Sequence, residues 1–170
     1  LSLRRQRQMC IRDRFRRGLW NHRWWDHHGM LMFTEDALIH ISDRIEKDGI
    51  ETDESRLKKV IAMRRVIKLI QNYNKDSYLE MAESELGEVI HHPWEFEEIE
   101  DKPGFFKLKD KDTEEEKEHN HKVFSRSREI EVEEWNELFE ILKGQDYSKF
   151  DKLKEWNEQF DGSGLRGWWD

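Results

Sequence analysis

An all-α protein is what this sequence predicts, on three observations. Apolar residues recur at helical spacing over stretches of about twenty residues. Only two prolines, Pro93 and Pro103, interrupt 170 residues. Nine glycines are too few to supply the turn punctuation of a sheet protein. The expected architecture is an antiparallel helical hairpin packed with additional helices, with aromatic N- and C-terminal segments.

The elements follow in order. Trp20 to His28 is a dense aromatic and imidazole stretch that leads into a first helix, expected over about 26–47, with Leu31, Leu38, Ile41 and Ile45 near helical spacing. Asp48-Gly49 breaks it, and Thr52 or Asp53 is suited to cap the next. That second helix, about 53–73, has Leu57, Val60, Ile61, Ile67, Ile70 and Asn74 on one face and Lys58, Lys59, Arg64, Arg65 and Lys68 off it. The short connection makes the pair antiparallel. Residues 77–90 form a weaker helical run. Both prolines and Gly104 then fall in an irregular loop at about 91–111, where Trp94, Phe96, Phe105 and Phe106 would dock on the core. Thr113-Glu-Glu-Glu begins a nearly apolar-free helical run through Arg128. Val132, Trp135, Leu138, Phe139 and Leu142 restore an amphipathic face, and Phe150, Leu153, Trp156 and Phe160 make a last one.

Composition bounds the rest. The length suits one domain, residues 15–170, and 40% charged residues make it polar, yet eight Trp and nine Phe are more than a disordered chain carries. A thin core anchored by large rings is expected. No window approaches the apolar run of a membrane span, and residues 1–14 lack the apolar stretch of a secretory signal, so a soluble protein without a membrane partner is expected. One cysteine, Cys10, permits no internal disulfide.

Candidate chemistry is sparse. Glu88 with His91, and Glu118 with His121, are Glu-x-x-His pairs whose spacing puts carboxylate and imidazole on one helix face, as a di-iron carboxylate bundle requires. This is the alternative, enzymatic reading. Against it, about one such pair arises by chance in so Glu-rich a chain, and both prolines lie between the pairs. A zinc reading takes His22, His27 and His28 near Asp26, or His91 and His92 with His119 and His121, but no accepted ligand spacing supports it. Neither phosphate-binding glycine motif occurs, since Gly162-Ser-Gly164 follows a helix rather than a strand. No cofactor is therefore expected.

Arg12, Arg14, Arg16, Arg17 and Arg23 interleave with Phe15, Trp20, Trp24 and Trp25 in a pattern suited to phosphate contact and base stacking, but the remaining body is acidic enough to repel a polyanion. That acidity leaves mimicry of nucleic acid as a third reading. The Trp pairs Trp24-Trp25 and Trp168-Trp169 either close the core or present aromatic anchors to a protein partner. Binding to another protein, without catalysis, is the expected function.

Trp24-Trp25-Asp26 followed by Met30-Leu31, the charged hairpin through Tyr78 and the ending Arg166-Gly-Trp-Trp-Asp170 together resemble an uncharacterised family of small Trp-rich proteins from tailed bacteriophages and viral metagenomes. This chain has His27-His28 where the family commonly has an aromatic residue. The resemblance implies an accessory protein in the cytoplasm of an infected bacterium, with a host or phage protein as partner, and carries no activity. Residues 1–14 resemble translated sequencing-adapter read-through: they hold five Arg, no Lys and one acid, whereas residues 15–170 hold 25 basic against 37 acidic residues. A chain beginning at Phe15 should therefore melt at the same temperature as the full chain by circular dichroism; a fall of many degrees would show that the head is native and packed.

Overall fold

A computed structural model describes residues 10–21 and 26–169. Among the described residues the fold is all-α apart from one two-stranded sheet. The chain divides into two compact units: residues up to Asp76 together with those from Val132 onward, and Ser77–Glu131. No helix among the described residues is long and apolar enough to cross a membrane.

The first unit is organised by helices α1 (Arg16–Asn21), α2 (His27–Asp48) and α3 (Asp53–Lys75). Asp26 caps α2, its carboxylate accepting from the His28 amide at 2.9 Å, and Gly49 ends it by donating to the Ile45 carbonyl at 3.0 Å. Asp53 and Glu54 sit in the first turn of α3, where acidic groups complement the helix dipole. Asp76, at φ 53°, stops that helix in the left-handed conformation that Asp tolerates better than most residues. The core lies between α2 and α3: Leu38 and Ile45 pack with Val60, Met63, Val66, Leu69 and Ile70, joined by Leu138 and Trp168.

The buried face of α3 differs from the one read from the sequence. Leu57 and Ile61 are exposed, while Lys59 is buried with its ammonium on Glu51. Apolar residues occur nearly all round this helix, so the pattern alone left the face ambiguous by about one residue, or 100°. What rotates Lys59 inward without an unpaired charge is Glu51, in the connection preceding the helix.

Helix α1 is held by charge. Arg17 lies 2.6 Å from Glu35 and 2.9 Å from Asp36, two carboxylates that are nearly fully buried on α2. Gln71 of α3 donates to Glu35 at 2.9 Å, and the Gly18 amide to Asp36 at 3.3 Å. The hydrogen bond to Glu35 raises the Arg17 guanidinium above its ordinary value. A Cβ at Gly18 would stand 3.0 Å from the Phe33 ring, so a larger residue there would need that ring to shift.

The C-terminal part of this unit begins in helix α5 (Glu114–Lys143), one continuous element where the sequence suggested two runs. Its Glu134 accepts from Asn72 at 3.0 Å, and Glu137 takes both donors of an Arg65 fork at 2.7 and 2.6 Å. The helix expected from Phe150 to Phe160 is instead a 3-10 turn, Tyr147–Lys149, and the single turn α6 (Trp156–Gln159). The Asp146 and Asp151 carboxylates accept from the Ser148 and Leu153 amides and divide the segment into turns. Its aromatics cluster all the same: Tyr147, Phe150, Trp156 and Phe160 have ring centroids 5.0–6.4 Å apart.

Gly162, at φ 87°, lies so close to α3 that a Cβ would fall 2.2 Å from the Lys58 carbonyl carbon. That approach brings the Trp168 indole into the core, where its N–H donates to the Gly162 carbonyl at 2.7 Å.

The second unit comprises α4 (Tyr78–Leu86), strands β1 (Glu95–Glu98) and β2 (Phe106–Lys109), and α5 as far as Glu131. Gly87, at φ 102°, ends α4 four residues before the run expected from the sequence closes. The segment expected to be irregular holds a β-hairpin.

Arg17→Ala should lower the unfolding free energy by about 1–3 kcal/mol, because it strands buried carboxylates while its own rim is exposed. Denaturant unfolding checks this, and removing residues 1–14 provides the contrast, since it leaves Arg17 in place.

Candidate functional site

The residues singled out in the sequence do not converge. Trp24 and Trp25 lie outside the described residues. Trp168 is a core residue, whereas Trp169 is exposed. The Glu88–His91 pair follows the end of α4 and lies on no helix, so the one-face geometry that spacing three would give is lost. Glu118 is exposed and ion-paired with Lys122 at 2.7 Å, and His121 is exposed on the same helix. Among the described residues, two groups bring three ligand atoms within 4.8 Å of one another, and neither includes Glu88, His91, Glu118 or His121.

What the second unit assembles instead is a hairpin with two unlike faces. Strand β1 pairs antiparallel with β2, with Phe96 opposite Leu108 and Glu98 opposite Phe106. Side chains alternate across a strand, so Phe96, Phe106 and Leu108 share one face with Glu98, and Trp94, just before β1, lines the same groove as Leu108. All four are exposed, Trp94 by 80% and Phe96 by 62%. Glu95, Glu97, Lys107 and Lys109 occupy the other face, where Lys107 lies 2.9 Å from Glu97. Lys111 reaches Glu95 and, by that hydrogen bond, lowers its carboxyl from the ordinary value. The turn is closed by Lys102 donating to the Ile99 carbonyl at 2.9 Å, with Gly104 at φ 84° supplying the left-handed residue.

Two strands alone are marginal in water, and this pair is held at its base by α5. Thr113 and Glu116 form a reciprocal cap at the helix start: the Glu116 amide donates to the Thr113 hydroxyl at 3.2 Å, and the Thr113 amide to Glu116 Oε2 at 2.7 Å. One turn on, Asn120 holds the Ile90 backbone at both ends, accepting from its N–H and donating to its C=O at 2.9 Å each. His119 Nε2 lies 3.0 Å from the Glu88 carbonyl.

His92, just before β1, meets Asp112, just after β2, and Glu116. Its Nε2 is 3.3 Å from Glu116 Oε1 and 3.9 Å from Asp112 Oδ1, with the three side chains 36, 34 and 24% exposed. Beside this cluster lies a groove of about 440 Å³, lined in part by His91, Trp94, Leu108, Asn120 and Phe124. Hydrogen bonding from Thr113, with a smaller contribution from His92, lowers the Glu116 carboxyl from its ordinary value.

The first unit contains the other group, Asp26, His27 and His28. There Asp26 Oδ1 already receives both the His28 amide and, at 2.7 Å, His28 Nδ1, which lowers its carboxyl and commits it to capping α2. His27 bonds the Tyr73 hydroxyl at 2.7 Å, and the His28, Tyr73 and Trp135 rings follow one another at 5.4 and 4.8 Å. Both imidazoles are thus hydrogen-bonded within the protein, although His27 remains exposed.

Sequence reasoning missed Asp112 and Glu116 because they reach His92 only across a hairpin that was not expected. The available signal was the period-two alternation Glu95-Phe-Glu and Phe106-Lys-Leu-Lys around Pro103-Gly104.

Glu116 supports the fold as a carboxylate, so its contribution is present above its ordinary pKa of 4.5 and lost as the pH falls below that toward its folded value. With chelator present, the melting temperature of the wild type should exceed that of Glu116→Gln near neutral pH, and the margin should shrink as the solution is acidified below the ordinary pKa of 4.5. Compared with protein-family models, with curated proteins and with solved structures, the chain finds no match.

Proposed function

We propose that this chain is a protein-binding module and that it recognises its partner with the apolar face of the β1–β2 hairpin. The observation that carries the reading is the row Phe96, Leu108 and Phe106 on one face, with Trp94 lining the same groove as Leu108, four large apolar side chains that are all exposed. Scattered surface hydrophobics need no explanation, but a contiguous aromatic row backed by a charged face is the composition of an interface centre. Both strands are also edges, with backbone groups open to pairing. In the setting implied by the Trp-rich ends, the partner would be a host or phage protein.

The test compares partner capture by the full chain with capture by a Trp94→Ser/Phe96→Ser variant. Both side chains are exposed, so the variant should keep its helical circular dichroism. Loss of a central aromatic anchor costs about 1–3 kcal/mol, so affinity for the specific partner should fall at least about fivefold. An unchanged set of captured proteins would remove the hairpin from the interface.

A further inference from the structure

We propose that His92, Asp112 and Glu116 form a binding site for a divalent transition-metal ion of the zinc class, closing the base of the hairpin. One imidazole and two carboxylates present three ligand atoms within 4.8 Å of one another. In a tetrahedral zinc site, bonds of about 2.0–2.2 Å hold the ligand atoms about 3.3–3.6 Å apart. Observed separations of 3.3 and 3.9 Å from His92 Nε2 need to change by only a few tenths of an ångström to fit that figure. As a direct hydrogen bond, the 3.3 Å approach of His92 to Glu116 is loose, since charge-assisted pairs settle near 2.7–2.9 Å.

The surrounding chemistry suits an ion. Two carboxylates neutralise a dication, and the imidazole favours a transition metal over magnesium or calcium. Glu116 is oriented in advance: its Oε2 is held by the Thr113 amide, which leaves Oε1 directed at His92. The cluster adjoins the groove at His91 and Trp94, so a fourth position open to water or an external ligand is accessible.

An ion here would bridge the segment leading into β1, the segment leaving β2 and the first turn of α5, closing a loop of about twenty residues at its neck. The inference is independent of what the apolar face binds. Dialysis of the chelator-treated full chain against Zn²⁺, with Co²⁺ as a spectroscopic probe, tests it. The expected result is an equivalent of metal, accompanied by visible cobalt absorption, that is lost in His92→Ala and in Glu116→Gln and retained in His27→Ala/His28→Ala. Gln preserves the reciprocal cap, so its loss of metal would not reflect a frayed helix. Hydrogen exchange of the β1 and β2 amides should also slow by up to about 100-fold when free Zn²⁺ is 100 times Kd. The proposal is overturned if no metal binds, if binding survives His92→Ala or Glu116→Gln, or if the strand amides exchange at the same rate with and without the ion.

Discussion

A two-stranded sheet has little stability of its own, and everything the second unit displays depends on side chains in the first turns of α5 that hold the strands at their base. Asn120 replaces a strand partner for Ile90, satisfying its donor and acceptor together. Thr113 and Glu116 close the helix start immediately after β2. With these groups in place the hairpin projects its aromatic row outward, while Lys and Glu pairs solvate the opposite face.

The first unit solves a different problem. Its core is thin, and part of the inner surface of α2 is ionic, with Glu35 and Asp36 buried beneath Arg17 and Gln71. Burying carboxylates is tolerable only with complete pairing, which ties the short helix α1 to α2 by geometry as well as charge. Glycine does comparable work at the other end: the approach of Gly162 to the Lys58 backbone admits Trp168 to the core. One member of the C-terminal Trp pair thereby becomes structural, while Trp169 stays exposed.

Helices α2 and α3 were readable because each has a long apolar period and a stop within its own sequence, and their boundaries fall within two residues of those expected, although Thr52 makes no side-chain cap on α3. The exposed hairpin was not, because two four-residue strands separated by Pro103 and Gly104 are too short for alternation to outweigh the loop signals around them. The cluster at its base shared that fate. His92 was noted among neighbouring histidines, but its partners come from beyond the turn, and proximity in sequence favoured His91, His119 and His121 instead.

By itself the sequence determined the helical class, the antiparallel pair and the charged character of the surface, since these follow from local periodicity, turn chemistry and composition. Tertiary structure decided which face of α3 is buried, that Trp168 is a core residue, and that His92, Asp112 and Glu116 meet. Each of those outcomes depends on atoms far apart in the chain approaching within a few ångströms, and no local pattern encodes such an approach.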